Sequence, residues 1–164
     1  MMKIVLEHPT PEEEMTILDR MSVSPPHAAQ VIVLDQLREL QHTADRVFVD
    51  RSVSQYAIDL VQATRHPERF DLDDLAGSIA LGVSPRATLN LVRGARAIAV
   101  LRGRTYATPQ DVFDVAPEVL RHRLLLTYDA LARDVSPDDL VHRILASVPA
   151  SWVSPRPNDV VRRG

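Results

Sequence analysis

Apolar residues recur at helical spacing through most of the chain, and several of these runs begin with a serine or threonine followed by proline. Such a pair supplies a capping side chain and a proline at the first helical position. The pattern predicts helices that begin at Thr10, Ser84, Thr108 and Ser136. The apolar side of the first helix consists of Met15, Ile17, Leu18 and Met21, and one side of the second is lined by Leu91, Ala95 and Ile98. In the other two helices the side chains expected to face inward are Val112, Phe113, Val115 and Ala116, and Leu140, Val141, Ile144 and Leu145.

Shorter patterns lie between these helices. The β-branched runs 31–33 and 47–49 flank leucines at helical spacing, and they predict two small strands that pair across a short helix. Asp50 is expected to cap a helix over 51–65. Residues 124–126 fit either a buried strand or a helix extension, because periodicity cannot separate the two in so short a run. The inward side of the 51–65 helix is expected to consist of Val53, Tyr56, Ala57, Leu60 and Val61.

The helix that follows Ser84 is nearly apolar apart from its arginines. Its small residues Gly94, Ala97 and Ala99 would let neighbouring helices approach closely, so we expect this helix at the centre of a bundle. Gly103 is suited to end it as a left-handed cap.

The two ends of the chain differ from this helical middle. Residues 2–6 are of strand type with nothing before them to pair with, and they look like the last strand of another domain. Pro25 and Pro26 give an extended connector. We therefore expect an N-terminal arm over 1–28, a helical domain over 29–150 and a flexible tail over 151–164, in which only Trp152 is suited to dock.

Composition narrows the possible functions. With 164 residues, of which 45% are hydrophobic, the chain can bury one core with attached arms. The net charge of -3 argues against bulk binding of nucleic acid, and the absence of cysteine excludes disulfides and thiolate metal sites and fits a cytoplasmic location. No histidine lies three or four residues from another, and no run is long and apolar enough to cross a bilayer.

Arg86 is the most unusual candidate residue. A helix N-terminus carries a partial positive charge and unpaired N–H groups, so an arginine in the first turn is disfavoured by roughly 0.3–1 kcal/mol unless an anion lies nearby. The helices that begin at Thr10, Thr108 and Ser136 have carboxylates in this position instead. Only the helix from Ser84 combines the same capping pair with a cation.

Arg93 extends this positive charge along the helix, since a residue seven positions on lies only about 20° from Arg86 around the axis. Both arginines are either solvated, paired with upstream carboxylates, or directed at a phosphate group. The upstream carboxylates are Asp71, Asp73 and Asp74.

A helical module that binds protein or nucleic acid is an alternative function. It would use the arginines of this helix and its end, which are Arg86, Arg93, Arg96 and Arg104. The negative net charge and the lack of aromatic residues beside these arginines argue against nucleic acid.

Three strings resemble one protein family. Residues 82–87, Gly-Val-Ser-Pro-Arg-Ala, resemble the second-sensor motif Gly-Ala-Ser-Pro-Arg-Ala of MoxR-type AAA+ ATPases and differ from it at Val83. Residues 102–112 and 120–124 resemble two further segments of that family in the same order. The chain is therefore similar to the C-terminal lid region of such an ATPase over residues 2–149.

The resemblance implies a mainly α fold, in which a lid-type helical bundle carries a small two-stranded β element and an N-terminal arm from the ATPase core. It implies that Arg86 is the second-sensor arginine for the γ-phosphate of ATP, with Ser84 and Pro85 beside it; we expect a supporting role for Arg93. ATP and Mg²⁺ would bind with the core, which holds the P-loop. This sequence contains no GxxxxGK[ST] motif, so we expect no ATP hydrolysis by the chain alone. Because no histidine pair has helical ligand spacing, we also expect no metal site in it.

The family also implies partners. MoxR-type ATPases act as hexameric, chaperone-like machines that remodel other proteins, often together with von Willebrand factor A-domain proteins. The expected partners are therefore the chain's own ATPase core, the neighbouring subunits of a hexamer and a von Willebrand factor A-domain protein. We expect no membrane partner.

Overall fold

The computed structural model describes residues 2–150, which fold into a mainly helical bundle with one small sheet. The predicted tail over 151–164, with Trp152, lies outside the described residues. Short 3-10 turns span Pro67–Phe70 and Arg121–Arg123. The helices and strands are α1 (Pro11–Met21), α2 (Leu34–Arg46), α3 (Arg51–Ala63), α4 (Asp73–Ala76), β1 (Ile79–Leu81), α5 (Pro85–Leu101), α6 (Pro109–Leu120), β2 (Leu125–Leu126), α7 (Tyr128–Ala132) and α8 (Pro137–Ser147).

The helix starts lie where the capping pairs predict them. The side chains of Thr10, Thr108 and Ser136 each accept a hydrogen bond from a backbone N–H in the first turn of α1, α6 and α8. In each case the carboxylate three residues on accepts from the N-cap backbone N–H, which completes a capping box. Asp50 caps α3 by accepting from the N–H of Ser52 at 2.8 Å.

The central helix of the bundle is α5, as its apolar composition predicts, and it packs against α2, α3 and α6. Its buried side consists of Ala87, Leu91, Ala95 and Ala99, whereas Ile98 is only partly buried. Gly94 explains how closely α6 approaches, because a Cβ atom there would lie only 3.1 Å from Cγ2 of Val115. The end of α5 is also as predicted, since Gly103 has a φ of +68°.

One inward position in α6 was wrong. Val112, Val115 and Ala116 are buried, but Phe113 is 41% exposed. Phe113 lies at the edge of the buried stripe of α6, and the helical period alone does not tell how wide that stripe is. The inward sides predicted for α3 and α8 are buried throughout.

The small β element forms, but between other segments than the sequence predicts. Strand β1 pairs antiparallel with β2, with Ile79 opposite Leu126 and Leu81 opposite Leu125. The predicted strand over 31–33 does not form, and these residues lead into α2 instead. From the other run, Phe48 makes a single parallel bridge to Tyr106. The ambiguous run 124–126 is therefore the site of a strand.

The N-terminal arm is the least packed part of the described chain. Residues 2–6 form no strand there; the backbone N–H of Lys3 donates to the carbonyl of Glu118 at 2.8 Å. A strand needs a neighbouring strand for its backbone groups, and residues 2–150 offer none at this place. Helix α1 is present, but none of its residues is buried.

Within the described residues, no helix combines the length and the hydropathy that crossing a bilayer requires.

Candidate functional site

The loop before α5 is held against the end of α3. The backbone N–H of Val83 donates to Oγ1 of Thr64 at 3.0 Å, and its carbonyl accepts from Nε of Arg65 at 2.6 Å. Gly82 lies so close to α3 that a Cβ atom there would be 2.4 Å from the carbonyl oxygen of Thr64. The position of this loop is therefore set by a helix that precedes it by almost twenty residues.

The first turn of α5 differs from those of α1, α6 and α8. Ser84 occupies the N-cap position with extended backbone angles, but its side chain accepts no hydrogen bond from the first turn. The same turn contains no acidic residue, and it contains the exposed Arg86. Helix α3 also begins with an arginine, Arg51, but the carboxylate of Asp50 caps that helix. Among these helices, α5 alone begins with a cation and neither a carboxylate nor a side-chain cap.

Arg86 and Arg93 face the same open groove, which has a volume of 790 Å³ and also includes Asn90 and Arg123 in its lining. The predicted stripe of positive charge along α5 is thus present on the surface. Neither Arg86 nor Arg93 has an ion pair or hydrogen-bond partner within residues 2–150.

The upstream carboxylates do not neutralise these arginines. Asp74 forms an ion pair with Arg143 of α8 instead. An exposed guanidinium beside a helix N-terminus without a side-chain cap can donate to the oxygens of a phosphate. The residues present therefore fit an anionic group of this kind.

The other two arginines of the alternative interaction module do not join the groove. Nη1 of Arg96 donates to the carbonyl of Asp45 at 3.2 Å, between α5 and α2. Arg104 is engaged by Asp111, with Nη1 to Oδ2 at 2.8 Å and Nη2 to Oδ1 at 2.5 Å. Of that set, Arg86 and Arg93 therefore share the 790 Å³ groove, whereas Arg96 lines a separate pocket together with Arg93.

Asp111 is a buried carboxylate at the start of α6. Its side chain is fully buried and accepts hydrogen bonds from Arg102, Arg104 and the hydroxyl of Thr108. Burial by itself would raise the pKa of Asp111, but the hydrogen bonds from Arg104 and Thr108 outweigh it and lower that pKa. The sequence signal was the capping box, which predicts the bond to Thr108 but not the two arginines.

Within residues 2–150, no group of three or more histidine, aspartate or glutamate side chains is arranged to hold a metal ion.

Comparison with known proteins identifies the type of domain that contains α5 and its first turn. Residues 75–144 match the profile of the AAA lid domain family. These residues contain β1, the loop before α5, α5 itself, α6 and most of α8. The chain therefore contains an AAA lid domain. The first turn of α5, with the exposed Arg86, lies within the matched residues.

Relatives along the chain narrow the class further. Chaperone MoxR1 of Mycobacterium tuberculosis is 48% identical over 130 residues, which cover 79% of this chain and 34% of MoxR1. The uncharacterized protein YeaC of Bacillus subtilis is 34% identical over 131 residues, covering 78% of this chain and 38% of YeaC. The crystal structure of a proposed ATPase from Cytophaga hutchinsonii matches with a TM-score of 0.86 at 32% identity, over 93% of this chain and 47% of that one.

The chain corresponds to the lid region of MoxR-type AAA+ ATPases, as the three sequence strings implied. The fold class is confirmed as well, since the described residues form a helical bundle with a two-stranded sheet. The chain spans about a third of the length of the curated relatives named above and just under half of the solved structure.

Proposed function

We propose that the chain acts as the lid of an ATP-driven protein-remodelling machine, in which Arg86 senses the γ-phosphate of ATP bound by an ATPase core. In this proposal Ser84 and Pro85 place the first turn of α5 beside the nucleotide, and Arg93 adds positive charge further along the same groove. The proposed boundaries are an arm over 1–28 that joins the core, the lid over 29–150 and a tail over 151–164.

The observation that carries the proposal is the unpaired state of Arg86 within residues 2–150. The helix dipole disfavours a cation in this turn. Ion pairing with Asp71, Asp73 or Asp74 would have compensated that cost inside the chain, but none of these residues forms an ion pair or hydrogen bond with Arg86. A phosphate supplied by another domain would compensate it from outside.

The chemistry of such a contact is electrostatic. Transfer of a phosphoryl group spreads negative charge over the γ-phosphate oxygens, and a guanidinium placed against them stabilises the transition state. The contact exists with a triphosphate and is lost with a diphosphate, so the angle between lid and core depends on the nucleotide state. Arg86 would therefore act both in hydrolysis and in sensing.

The core supplies what this chain does not contain. The sequence has no P-loop motif, so we propose that binding of ATP and Mg²⁺ depends on the core and that the chain alone does not hydrolyse ATP. The exposed apolar residues of α1 fit an arm that packs against such a core. These residues are Met15, Ile17, Leu18 and Met21.

The wider role follows from the relatives. Because the Mycobacterium relative is named a chaperone, we propose a chaperone-like role, carried out by a hexamer in the cytoplasm. A von Willebrand factor A-domain protein is the proposed partner of the complete machine.

The test is ATP turnover by the chain assembled with its P-loop core. We expect Arg86→Ala to lower turnover by about a hundredfold, which is typical for removal of a donor that stabilises transition-state charge. The matched control is Arg51→Ala, which removes another exposed first-turn arginine, and it should turn over ATP at the wild-type rate. Unchanged turnover by Arg86→Ala would contradict the proposal.

The chain alone provides a second test. We expect no turnover by the purified chain, even at high concentrations of ATP and Mg²⁺. Turnover by the pure chain that disappears in Arg86→Ala would overturn the proposed dependence on a core.

A further inference from the structure

We propose that Thr64 is a positioning residue for Arg86, acting through the backbone of Val83. This inference rests on the proposed function of Arg86 and names a residue at the end of another helix that sets the geometry of the sensor. Thr64 touches neither Arg86 nor the groove that Arg86 faces.

The hydroxyl of Thr64 bridges α3 and the loop before α5. It donates to the carbonyl of Val61 at 2.7 Å and accepts from the N–H of Val83 at 3.0 Å. Thr64 is fully buried and Val83 is 1% exposed, so water cannot replace this bond. Loss of the hydroxyl would leave a buried N–H without an acceptor, which is the costly way to break a hydrogen bond.

Two neighbours hold the same point of the loop. Nε of Arg65 donates to the carbonyl of Val83, so both backbone polar groups of Val83 are bound by the two residues that directly follow α3. Gly82 allows the contact, since its backbone lies directly against the carbonyl of Thr64. The loop is therefore fixed three residues ahead of Arg86.

This fixation matters because α5 is not held in the usual local way. Helices α1, α6 and α8 begin with a side chain that caps their own first turn, whereas the side chain of Ser84 makes no such bond. The side chain of Arg86 also has no partner within residues 2–150 that could orient it. The direction of Arg86 thus depends on the backbone at the start of α5, and that backbone depends on α3.

Thr64 is a better probe of this effect than Arg65. Removing Arg65 would also remove a positive charge near Ser84 and Pro85, and it would change the field at the groove. Thr64→Val keeps the shape of the side chain and removes only the hydroxyl, while Thr64→Ser keeps the hydroxyl. The pair therefore separates the hydrogen bond from packing and charge.

The first experiment is a double-mutant cycle on ATP turnover by the chain assembled with its core. We expect Thr64→Val to lower turnover about tenfold or more, because misplacement of a charged group by a fraction of an ångström is costly. Thr64→Ser should stay close to the wild type. In the Arg86→Ala background, Thr64→Val should cause no further loss, since residues that act through one another are not additive.

The control is Thr127→Val, which removes a hydroxyl that donates to the carbonyl of Gly77 and caps α7. It perturbs a different loop, and turnover should remain at the wild-type rate. Equal losses from Thr64→Val in both backgrounds would show a merely structural role and overturn the inference. A wild-type rate for Thr64→Val would also overturn it.

The second experiment needs no ATP and uses the chain itself. In Thr64→Val, but not in Thr64→Ser or Thr127→Val, the backbone amides of Val83, Ser84, Arg86 and Ala87 should exchange with solvent about tenfold faster than in the wild type. Unchanged exchange would overturn the inference. If exchange accelerates as expected while Arg86→Ala leaves turnover intact, the proposed function of Arg86 fails and the hold of Thr64 on the loop stands.

Discussion

Arg104 and Asp111 form a two-pronged ion pair, in which both guanidinium Nη atoms donate to the two carboxylate oxygens of a fully buried side chain at 2.8 and 2.5 Å. Arg102 donates to the same carboxylate at 2.9 Å. Asp111 also closes the capping box of α6 by accepting from the N–H of Thr108. The end of α5 and the start of α6 are therefore joined through one carboxylate.

Removal of this carboxylate should be strongly destabilising. Asp111→Ala leaves Arg104 without its charged partner in a partly buried place and removes the carboxylate that accepts from the N–H of Thr108 in the capping box of α6. We expect the free energy of unfolding to fall by about 3–5 kcal/mol, the usual loss when one member of a buried pair is deleted. Urea unfolding of the chain, followed by circular dichroism, measures the loss.

Asp114→Ala is the matched control for this prediction. Asp114 lies one turn further along α6, is partly exposed and pairs with the outer side of Arg102. Asp114→Ala should lower the free energy of unfolding much less than Asp111→Ala does, because solvent screens exposed ion pairs. Similar losses for the two variants would show that the burial of Asp111 does not matter.

Acid should unfold the chain because several carboxylates are stabilised as anions. Hydrogen bonds from Ser52 lower the pKa of Asp50, and those from Ser136 lower the pKa of Asp139. The pKa of Asp111 is also lowered. A carboxylate whose pKa is lower in the folded state stabilises the fold fully above its unfolded pKa, near 3.9, and loses this effect as pH falls through the folded value.

We therefore expect the urea midpoint to change little from about pH 7 to pH 5 and to fall steeply below about pH 4. His122 adds a weaker effect in the same direction. Burial, together with the positive charges of Arg123 and Lys3, lowers the pKa of His122, so its protonation favours the unfolded chain. His122→Gln should remove any decline near pH 6 and leave the acid transition in place; a midpoint that rises on acidification would contradict the prediction.

Gly82 should not tolerate a side chain. Gly82→Ala would place a Cβ atom 2.4 Å from the carbonyl oxygen of Thr64, which is backbone and cannot rotate away. We expect a loss of about 1–3 kcal/mol in the free energy of unfolding, as for other overpacked sites. The matched control is Gly77→Ala, where a Cβ atom meets nothing within 4 Å, and which should be neutral or slightly stabilising.

Arg86 should lower the stability of the isolated chain. Because the helix dipole opposes a cation in the first turn, Arg86→Ala should raise the free energy of unfolding by about 0.3–1 kcal/mol at low ionic strength. Arg51→Ala should gain less, since Asp50 already provides a negative charge at the start of α3. The gain should shrink in high salt; a loss of stability in Arg86→Ala would mean that the arginine is satisfied within the chain.

Some features of the candidate site could be predicted from the sequence and others could not. The oddity of Arg86 was visible because three helices with the same capping pair provided a comparison. The hydrogen bond between Thr64 and Val83 could not be predicted, because no local pattern indicates that these two residues lie close together. The same holds for Asp111. Its capping role is local, whereas its two arginine partners depend on how α5 and α6 pack.

The sequence alone determined where α1, α3, α5, α6 and α8 start and which residues of α3 and α8 face inward, because a cap acts over three residues and a helical face repeats every three or four. Only the tertiary structure decided which short runs pair as strands, that Phe113 is exposed to solvent and which residues hold the first turn of α5. Strand pairs and loop contacts join residues far apart in the chain, such as Ile79 with Leu126. Their partners are selected by the packing of the whole bundle, which no local pattern contains.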